Sequence, residues 1–426
     1  MDLLALAVPF FILALVIELI IDRVRGSGLY RASDAINSIS AGMLMTTFGY
    51  FTKFVQLLMW GLVLEHLAVF DMPLALFDAS PQGILLWALA VIGWDFCYYW
   101  NHRLGHEISV LWAAHAVHHQ SEDYNLSTAL RQTSTSFLTS WIFYVPLFVI
   151  GFPLEVLLIV GAANLIYQFW VHTQVVRRLG ILDYIFVTPS NHRVHHAQNE
   201  RYIDKNYGGI FILWDRLFGT FEDEREDEPV IFGVRKPLAN WNPFWANLQV
   251  YDYLLFDARH TRRWRDKLGV WFRRTGWRPA DVAAQYPKQR AELATFEKFD
   301  PQIARSLRVY ALLQFLVAIA GSLVIAVLFA KAGARGVLIP CLLLWALLYT
   351  LGLINEGRAY AVRAELLRLL VVVPVAVAIL PTEPDDIATP VLWPLAAVYI
   401  GVSVIALFVA QQFRARGSEK VLNYNN

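Results

Sequence analysis

Charge and cysteine are both scarce in this sequence. Charged residues make up 17% of its 426 residues and hydrophobic residues 57%, against about 25% and roughly 45–50% in soluble domains. A large apolar surface must therefore face something other than water. The net charge of +1 excludes the strongly basic field typical of nucleic-acid-binding domains. The two cysteines, Cys97 and Cys341, both lie in apolar runs, which excludes a disulfide scaffold and a cysteine-rich zinc module.

Long apolar runs recur along the chain and predict an all-α, multi-pass transmembrane helical bundle. The first run follows no basic segment and precedes no cleavage site, so we interpret it as a retained anchor rather than a signal peptide. Two central runs either cross the membrane or form a shallow hairpin around Gly151-Phe152-Pro153. We predict about nine membrane segments, at about 3–21, 39–64, 83–100, 136–151, 154–171, 307–330, 336–354, 366–381 and 390–412.

The distribution of basic residues in the loops predicts the topology. No Lys or Arg occurs between Lys53 and Arg103, so the loop inside this stretch is expected outside the cytoplasm. The segments 101–135 and 173–305, together with the C-terminus, are then cytoplasmic. The acidic loop Glu383–Asp386 and the N-terminus are expected on the opposite side. These assignments predict a histidine-rich cap on the cytoplasmic side, in a bacterial inner membrane or the endoplasmic reticulum.

The polar block after the central runs is not uniform. It contains an acidic run, Glu222–Glu228, which we interpret as a solvated loop. A later basic stretch surrounds Trp264, Trp271 and Trp277, and basic residues interleaved with Trp are typical of a segment lying on anionic headgroups. We therefore divide the chain into five parts. They are an anchor (1–82), a catalytic core (83–225), an interfacial amphipathic segment (226–305), C-terminal membrane helices (306–413) and a cytoplasmic tail (414–426).

Nine of the 11 histidines follow a pattern. One pair has the spacing H-x3-H, two triplets have the spacing H-x-x-H-H, and one histidine ends an apolar run. Residues at i, i+3 and i+4 share one helix face, so we expect each triplet to offer its imidazoles to a single point. The nine are His102, His106, His115, His118, His119, His172, His192, His195 and His196.

Imidazoles packed together without a metal must stay neutral or repel one another, so the pattern predicts metal binding. Nine exceed the three or four that one ion needs, which indicates two ions. His106-Glu107 begins the zinc peptidase motif H-E-x-x-H, but no second histidine completes it. Tight triplets are also poor geometry for haem. A histidine-lined metal transporter remains an alternative of another class, although its ligands would lie near the bilayer midplane. A di-iron site that activates O₂ beside the bilayer fits best.

The spacing of these histidines resembles that of the fatty acid hydroxylase and sterol desaturase superfamily of membrane di-iron enzymes. Longer strings are most similar to the alkylglycerol monooxygenase family within it. The similarity covers about 90–222. It rests on DFCYYW from Asp95, HHQSEDYNLSTALRQ from His118, YQFWVHT from Tyr167, TPSNHRVHH from Thr188 and IDKNYGGIFILWDRLFGTFE from Ile203.

The resemblance implies cleavage of the O-alkyl bond of ether lipids with two iron ions, O₂ and tetrahydrobiopterin. Hydroxylation of the ether carbon would give a hemiacetal that collapses to a fatty aldehyde and a glycerol derivative. All nine histidines match essential histidines of the family. Glu107 matches an acid next to the second of them, and we assign it as the candidate catalytic residue, expected to orient a ligating imidazole. Asn191 departs from the family pattern, because a histidine is expected there; it either holds a metal-bound water or caps a helix.

Other residues and partners have more than one interpretation. Tyr124 and Asn125 either line the site or, as we favour, pack and cap a helix; Asp215 either supports the site or, as we favour, pairs with Arg216. His66 and His260 are expected on the surface. The alternative within the superfamily is hydroxylation or desaturation of a fatty acyl or sterol substrate. An electron donor and a homodimer are further candidate partners, and the bilayer is the expected source of the substrate.

Overall fold

A computed structural model describes residues 3–424 except 73, 77, 289–291 and 381–388, and leaves out the side chains of 5, 389, 390 and 413–424. The acidic loop Glu383–Asp386 therefore lies outside the described residues. The described chain is helical, as predicted, and its only strand-like pairings are isolated bridges such as Ile108 with Arg274. It divides into two compact units, 1–42, 52–238 and 247–298 in the first and 43–51, 239–246 and 299–426 in the second.

The helices of the histidine-bearing part of the chain are short, apart from α11 and those that come from the apolar runs. They are α1 (Leu3–Arg25), α2 (Ala32–Leu67), α3 (Pro81–Glu107), α4 (Ser109–Ala113), α5 (Ala116–His119), α6 (Leu126–Ala129), α7 (Val145–Ile150), α8 (Leu154–Trp170), α9 (Pro189–His195), α10 (Leu213–Phe218), α11 (Pro243–His260), α12 (Trp264–Phe272) and α13 (Ala280–Gln285). Single 3₁₀ turns occur at Ser136–Leu138, Ser140–Tyr144, Gly180–Tyr184 and Leu293–Thr295.

The second unit is built mainly from α14 (Arg305–Asn355), α15 (Ala361–Leu367), α16 (Val373–Ile379) and α17 (Thr389–Tyr424). Its longest helix is broken at Gly333, where φ is 63°, so the runs predicted at 307–330 and 336–354 form two helical arms. A π-helical turn, Arg368–Val372, joins α15 to α16. There Arg368 and Glu365 form a buried ion pair of 2.6 Å, which cancels the charge of an arginine inside an apolar run.

Among the described helices, four are long and apolar enough to cross a membrane: Ala32–Leu67, Pro81–Glu107, Arg305–Asn355 and Val391–Gln412. The multi-span, all-helical class is confirmed, while the count of about nine segments is not. Ser140–Ile150 and Leu154–Trp170 are apolar but shorter. Residues 151–153 join them, and Gly151 has a φ of 109°. Both helices are shorter than the about 20 residues that a membrane span needs, which favours the hairpin alternative for this pair.

α3 carries the first histidines and has well-defined ends. Ser80 caps it by accepting a hydrogen bond from Gly83 N at 3.0 Å, and Pro81 takes the first helical position, where its missing N–H costs nothing. The helix ends at Glu107, because Ile108 adopts an extended conformation. His106 therefore sits in the last turn of a membrane-spanning helix.

An aromatic core locks α3 to its neighbours. Trp60, Trp94, Tyr144 and Phe148 are all buried, and the Trp94 and Tyr144 rings stack at 4.1 Å. The Trp60 indole donates to Trp141 O at 2.9 Å, so the polar atom of this large side chain is satisfied inside the core. The spans consequently form a rigid base for the turns that follow α3.

Candidate metal centre

Four short stretches of chain carry the nine histidines into one buried region. His102 and His106 lie in the last turns of α3, and His172 follows α8. The first triplet lies on α5 and the residue before it, and the second triplet lies on α9 and its C-cap residue. Thr188 and Asn191 form a reciprocal capping box that begins α9, and Pro189 takes its first position. All nine imidazoles are buried, apart from the half-buried His115.

The first histidine group, defined as His102, His106, His115, His119 and His195, brings five imidazole nitrogens within 4.8 Å of one another. His119 Nε2 lies 3.1 Å from His106 Nε2 and 3.0 Å from His115 Nε2. The Nε2 atoms of His102 and His195 are buried and have no hydrogen-bond partner among the described residues. The group thus leaves nitrogen lone pairs without a proton donor.

The second histidine group consists of His118, His172, His192 and His196, whose ligand atoms also lie within 4.8 Å of one another. His172 Nε2 is 3.1 Å from His118 Nε2 and 3.0 Å from His192 Nε2, and His192 Nε2 is 3.2 Å from His196 Nε2. The two groups adjoin, since the ring centroids of His119 and His196 are 4.3 Å apart.

The expectation that each H-x-x-H-H triplet serves a single point is wrong. His115 and His119 join the first group, while His118 joins the second; His195 joins the first, while His192 and His196 join the second. Helices α5 and α9 both lie between the groups, so side chains on two flanks of each helix reach different centres. Each triplet therefore bridges the two groups.

Backbone carbonyls determine the tautomer of four rings. The Nδ1 atoms of His102, His118, His172 and His195 donate to the carbonyls of Tyr207, Arg131, Gln168 and Lys205 at 2.7–2.9 Å. In a neutral imidazole the proton on Nδ1 leaves a lone pair on Nε2. This is how metal-ligating histidines are usually held.

The contact between His118 and His172 shows what the groups are suited to bind. Both rings carry their proton on Nδ1, so two Nε2 lone pairs face each other at 3.1 Å. A hydrogen bond would require one imidazolium, but burial lowers the pKa of His118 to about 4. A cation held between the lone pairs removes the repulsion.

Burial keeps the other imidazoles neutral as well. Desolvation is the largest cause that lowers the pKa of His119, His195 and His196 well below the usual value, and the neighbouring imidazoles add to it. Neutral imidazole is the form that binds iron, zinc, copper or nickel. The site is therefore prepared for cations without first releasing protons.

Two carboxylates that support the site were not singled out correctly from the sequence. Asp215 accepts from Tyr207 N, Gly208 N and Thr220 Oγ1, each at 2.7 Å. Its favoured pairing with Arg216 is wrong, because that guanidinium lies over the rings of Phe221 and Tyr184. Burial raises the pKa of Asp215 to about 6.

Asp95 is the second of these carboxylates, and the sequence drew attention to it only as part of a longer string. It accepts from Ile210 N at 2.7 Å, Phe211 N at 3.1 Å and Trp214 Nε1 at 3.0 Å. Together the two acids position the segment whose Tyr207 carbonyl holds His102. The signal that could have found them is an acid in an otherwise apolar stretch, which must be satisfied when it is buried.

Glu107 and Asn191 occupy less direct positions. Glu107 accepts from Arg103 Nε at 3.0 Å, whereas backbone carbonyls orient four of the nine rings. The side-chain oxygen of Asn191 accepts from Thr188 N at 3.2 Å and its amide donates to Asp183 O at 3.4 Å. Of the two interpretations of Asn191, the structure supports the helix cap.

The remaining singled-out residues divide between site and surface. Asn125 caps α6 as favoured. Tyr124 donates to Val171 O at 3.0 Å, and its ring centroid lies 5.2 Å from that of His196, so it packs and also borders the second histidine group. His66 and His260 are exposed, as expected.

Comparison with known proteins identifies the relatives of this chain. The fatty acid hydroxylase family model matches residues 87–220, which contain all nine histidines. A human alkylglycerol monooxygenase is 38% identical over 316 residues, 74% of this chain and 69% of that protein. One from Xenopus tropicalis is 35% identical over 371 residues, covering 85% and 80%. An ornithine lipid hydroxylase of Rhizobium tropici is 32% identical over 163 residues, covering 38% and 49%. No solved structure matches the chain significantly.

Proposed function

This chain belongs to the alkylglycerol monooxygenase family, and we propose that it oxidises the ether carbon of an alkylglycerol lipid so that the O-alkyl bond is cleaved. It is an integral membrane oxidoreductase that uses O₂. The observation that carries the proposal is the pair of adjoining histidine groups with inward-facing Nε2 atoms at the end of a membrane-spanning helix.

We propose that the two groups hold two iron ions. His102, His106, His115, His119 and His195 would ligate one, and His118, His172, His192 and His196 the other. Bound iron would supply the activation of O₂ that oxidation of a C–H bond requires. The nitrogen separations of 3.0–3.2 Å suit neighbouring ligands of one ion, and the adjoining groups suit two ions that share one substrate.

The proposed reaction balances with one reductant. One oxygen atom of O₂ is inserted into a C–H bond of the alkyl-chain carbon bonded to the ether oxygen, and the other leaves as water with two electrons and two protons. We propose tetrahydrobiopterin as the source of these electrons. The resulting hemiacetal breaks its C–O bond, and the products are a fatty aldehyde and the free hydroxyl of a glycerol derivative.

The residues of this chain would orient the metal ligands and exclude water from the site. The carbonyls that accept from Nδ1 prevent the rings from turning, so the ligand nitrogens are preorganised. Tyr124, buried with its hydroxyl satisfied by Val171, closes the second histidine group against water. Glu107 remains our proposed catalytic candidate, and its ion pair with Arg103 on the same face of α3 means that any effect on the imidazoles is indirect.

We place the site on the cytoplasmic side, from the loop charges of the sequence, with the bilayer as the source of the substrate. A homodimer and a separate electron donor stay predictions. No described contact favours the transporter alternative, whose ligands would line a path through the spans rather than a closed pair of groups.

Two measurements on purified protein test the proposal. Anaerobic purification followed by elemental analysis is expected to give close to two iron ions per chain, and zinc in an overexpressed sample would reflect displacement of Fe(II). Incubation with an alkylglycerol, O₂ and tetrahydrobiopterin should release a fatty aldehyde in equal amount to the glycerol derivative. A hydroxylated fatty acyl or sterol product with the ether intact would favour the alternative within the superfamily. One metal per chain at full activity would overturn the di-iron assignment.

A further inference from the structure

A patch of large apolar side chains is exposed beside the metal centre. It is formed by the turn Gly180–Tyr184 with the residue after it and by α10, and we call it the 181/217 patch. Ile181 is 76% exposed and Leu217 69%. The other members, Leu182, Tyr184, Ile185 and Leu213, are between 39% and 58% exposed. Six such side chains together exceed the scattered apolar exposure that is normal on a protein surface in water.

The two halves of the patch form one rigid surface. Ile212 N donates to Ile185 O at 3.1 Å, and the Arg216 guanidinium lies 4.6 Å from the centre of the Tyr184 ring. Asp183 in the turn is buried and accepts from Leu179 N at 2.7 Å and from the hydroxyl of Thr188. The exposure is therefore a property of the folded surface and not of a loose loop.

The 181/217 patch continues the lipid-facing side of a membrane span. On α3 the side chains of Leu85, Leu89, Ile92 and Phe96 are exposed, and their spacing of four, three and four residues places them on one helix face. The Phe96 ring is 5.1 Å from that of Trp214, and the Trp100 ring is 5.2 Å from that of Phe218. The apolar stripe of the span thus runs directly onto α10.

The length of α3 places this junction within the bilayer. The helix has 27 residues, which is about 40 Å, whereas the hydrocarbon core is about 30 Å thick. If all the excess projects from the end that carries His106, Asp95 still lies about 8 Å inside the core. Trp214 on α10 donates to Asp95 at 3.0 Å, so α10 is held at that depth.

We infer that the 181/217 patch is immersed in the hydrocarbon of the bilayer and seats the two histidine groups against the leaflet that holds the substrate. Short hydrogen-bonded segments connect both halves of the patch to the histidine groups. On the side of α10, Tyr207 O accepts from His102 Nδ1. On the side of the turn, Thr188 donates to Asp183 and caps the start of α9. The role in seating the site rests on the proposed function, while the immersion of the patch does not.

Three arginines flank the patch: Arg177 is exposed, and the half-buried Arg216 guanidinium lies over the rings of Tyr184 and Phe221. Arg178, next to the patch, lies 3.9 Å from Asp223 and donates to Glu224 O, so its charge is already compensated. Because the patch itself is apolar, it should already be immersed in neutral phosphatidylcholine, without added phosphatidylglycerol.

Spin labels on the full chain, reconstituted in phosphatidylcholine nanodiscs, test the inference. Single cysteines at Ile181 and Leu217, in a background carrying Cys97→Ala and Cys341→Ala, are labelled with a nitroxide. Leu89→Cys is the lipid-facing control and Glu200→Cys, with its side chain 85% exposed, is the aqueous control. We expect both patch positions to collide with dissolved O₂ several-fold more than with a water-soluble nickel chelate, as at Leu89.

Two results would overturn the inference. Collision with the nickel chelate at the level of Glu200 would place the patch in water, and exclusion of both reagents with coupling between labels would mean that a second copy covers it. A separate kinetic experiment tests the role in seating the site. Leu217→Asp should raise KM for a bilayer-borne alkylglycerol several-fold while kcat and metal content stay unchanged. Because the labels report depth without turnover, a chain that failed to cleave ether lipids would leave the depth result intact.

Discussion

The carboxylate of Asp215 accepts a hydrogen bond from the backbone nitrogen of Tyr207 at 2.7 Å, and the carbonyl of Tyr207 accepts from His102 Nδ1 at 2.8 Å. A residue far from the histidine motifs in sequence therefore determines how one ring of the first histidine group is held. Asp215 also accepts from Gly208 N at 2.7 Å, so one carboxylate holds two consecutive backbone amides in place.

Asp215→Asn tests this linkage. An amide offers one acceptor oxygen where the carboxylate offers two, so the Tyr207 segment should loosen and metal affinity of the first group should fall about 10–100-fold. Metal content is measured by elemental analysis over a chelator series. We expect one ion per chain to be lost early and the second to be retained. Asp227→Asn, at an exposed acid, is the control and should match the parent protein.

His172→Ala should remove one ion and turnover together. Three other imidazoles of its group lie within 4.8 Å of it, and removing it leaves three ligands with one side of the ion open. Metal per chain should fall from about two towards about one, while the protein still folds and inserts. The matched control is the exposed His260→Ala, which should change neither value. Full metal with normal activity in the His172 variant would exclude it as a ligand.

Glu107→Gln separates a metal-binding from an indirect role for this acid. Because its described ion pair is with Arg103 at 3.0 Å, metal content should stay within error of the parent protein, and any loss should appear in kcat. Elemental analysis and steady-state kinetics on the same preparation give both values. Loss of one ion per chain would show that Glu107 acts on a ligating imidazole after all.

Asn191→Ala should weaken the fold locally without emptying the site. Its side-chain oxygen caps α9 together with Thr188, and loss of a cap costs about 1 kcal/mol. Thermal unfolding in detergent should shift downwards slightly while metal content remains the same. If Asn191→Ala lost metal but kept its unfolding midpoint, the residue would be part of the metal site instead.

The stability of the metal-free protein should decrease as the pH falls. The folded pKa of His118, about 4, is below the ordinary 6.5, so the unfolded chain binds the proton first. The stabilising contribution is complete above about pH 6.5 and is lost as the pH falls towards 4. Each such imidazole adds about 1.4 kcal/mol per pH unit to the slope. Denaturant unfolding of the metal-free protein at several pH values from 7 to 5 measures this slope.

The matched variant for this prediction is His118→Phe, which removes one titrating group. The free energy of unfolding of this variant should change less steeply with pH than that of the parent protein, by about 1.4 kcal/mol per pH unit. A parent protein whose unfolding midpoint did not move between pH 7 and 5 would contradict the prediction that these rings are held neutral by burial.

Membrane character, the helical class and the histidine set were all readable from the sequence, because hydropathy and residue type need no knowledge of neighbours. The 307–330 and 336–354 runs correspond to the two arms of α14. They join at Gly333, because glycine adopts a φ of 63° without strain. The number of crossings was not readable, since Ser140–Ile150 and Leu154–Trp170 are apolar yet short. Local composition does not say whether such a helix crosses the bilayer or turns back within it.

The sequence by itself determined which nine side chains meet; only the tertiary structure decided how they are shared. Helical spacing placed His115, His118 and His119 together, but the position of α5 between two centres sends His118 to one and its neighbours to the other. The tautomers depend on carbonyls such as those of Tyr207 and Arg131. Every residue has a carbonyl, so no side-chain pattern can reveal which one a ring will meet. That is decided when distant segments pack, because buried Asp95 and Asp215 must find donors there.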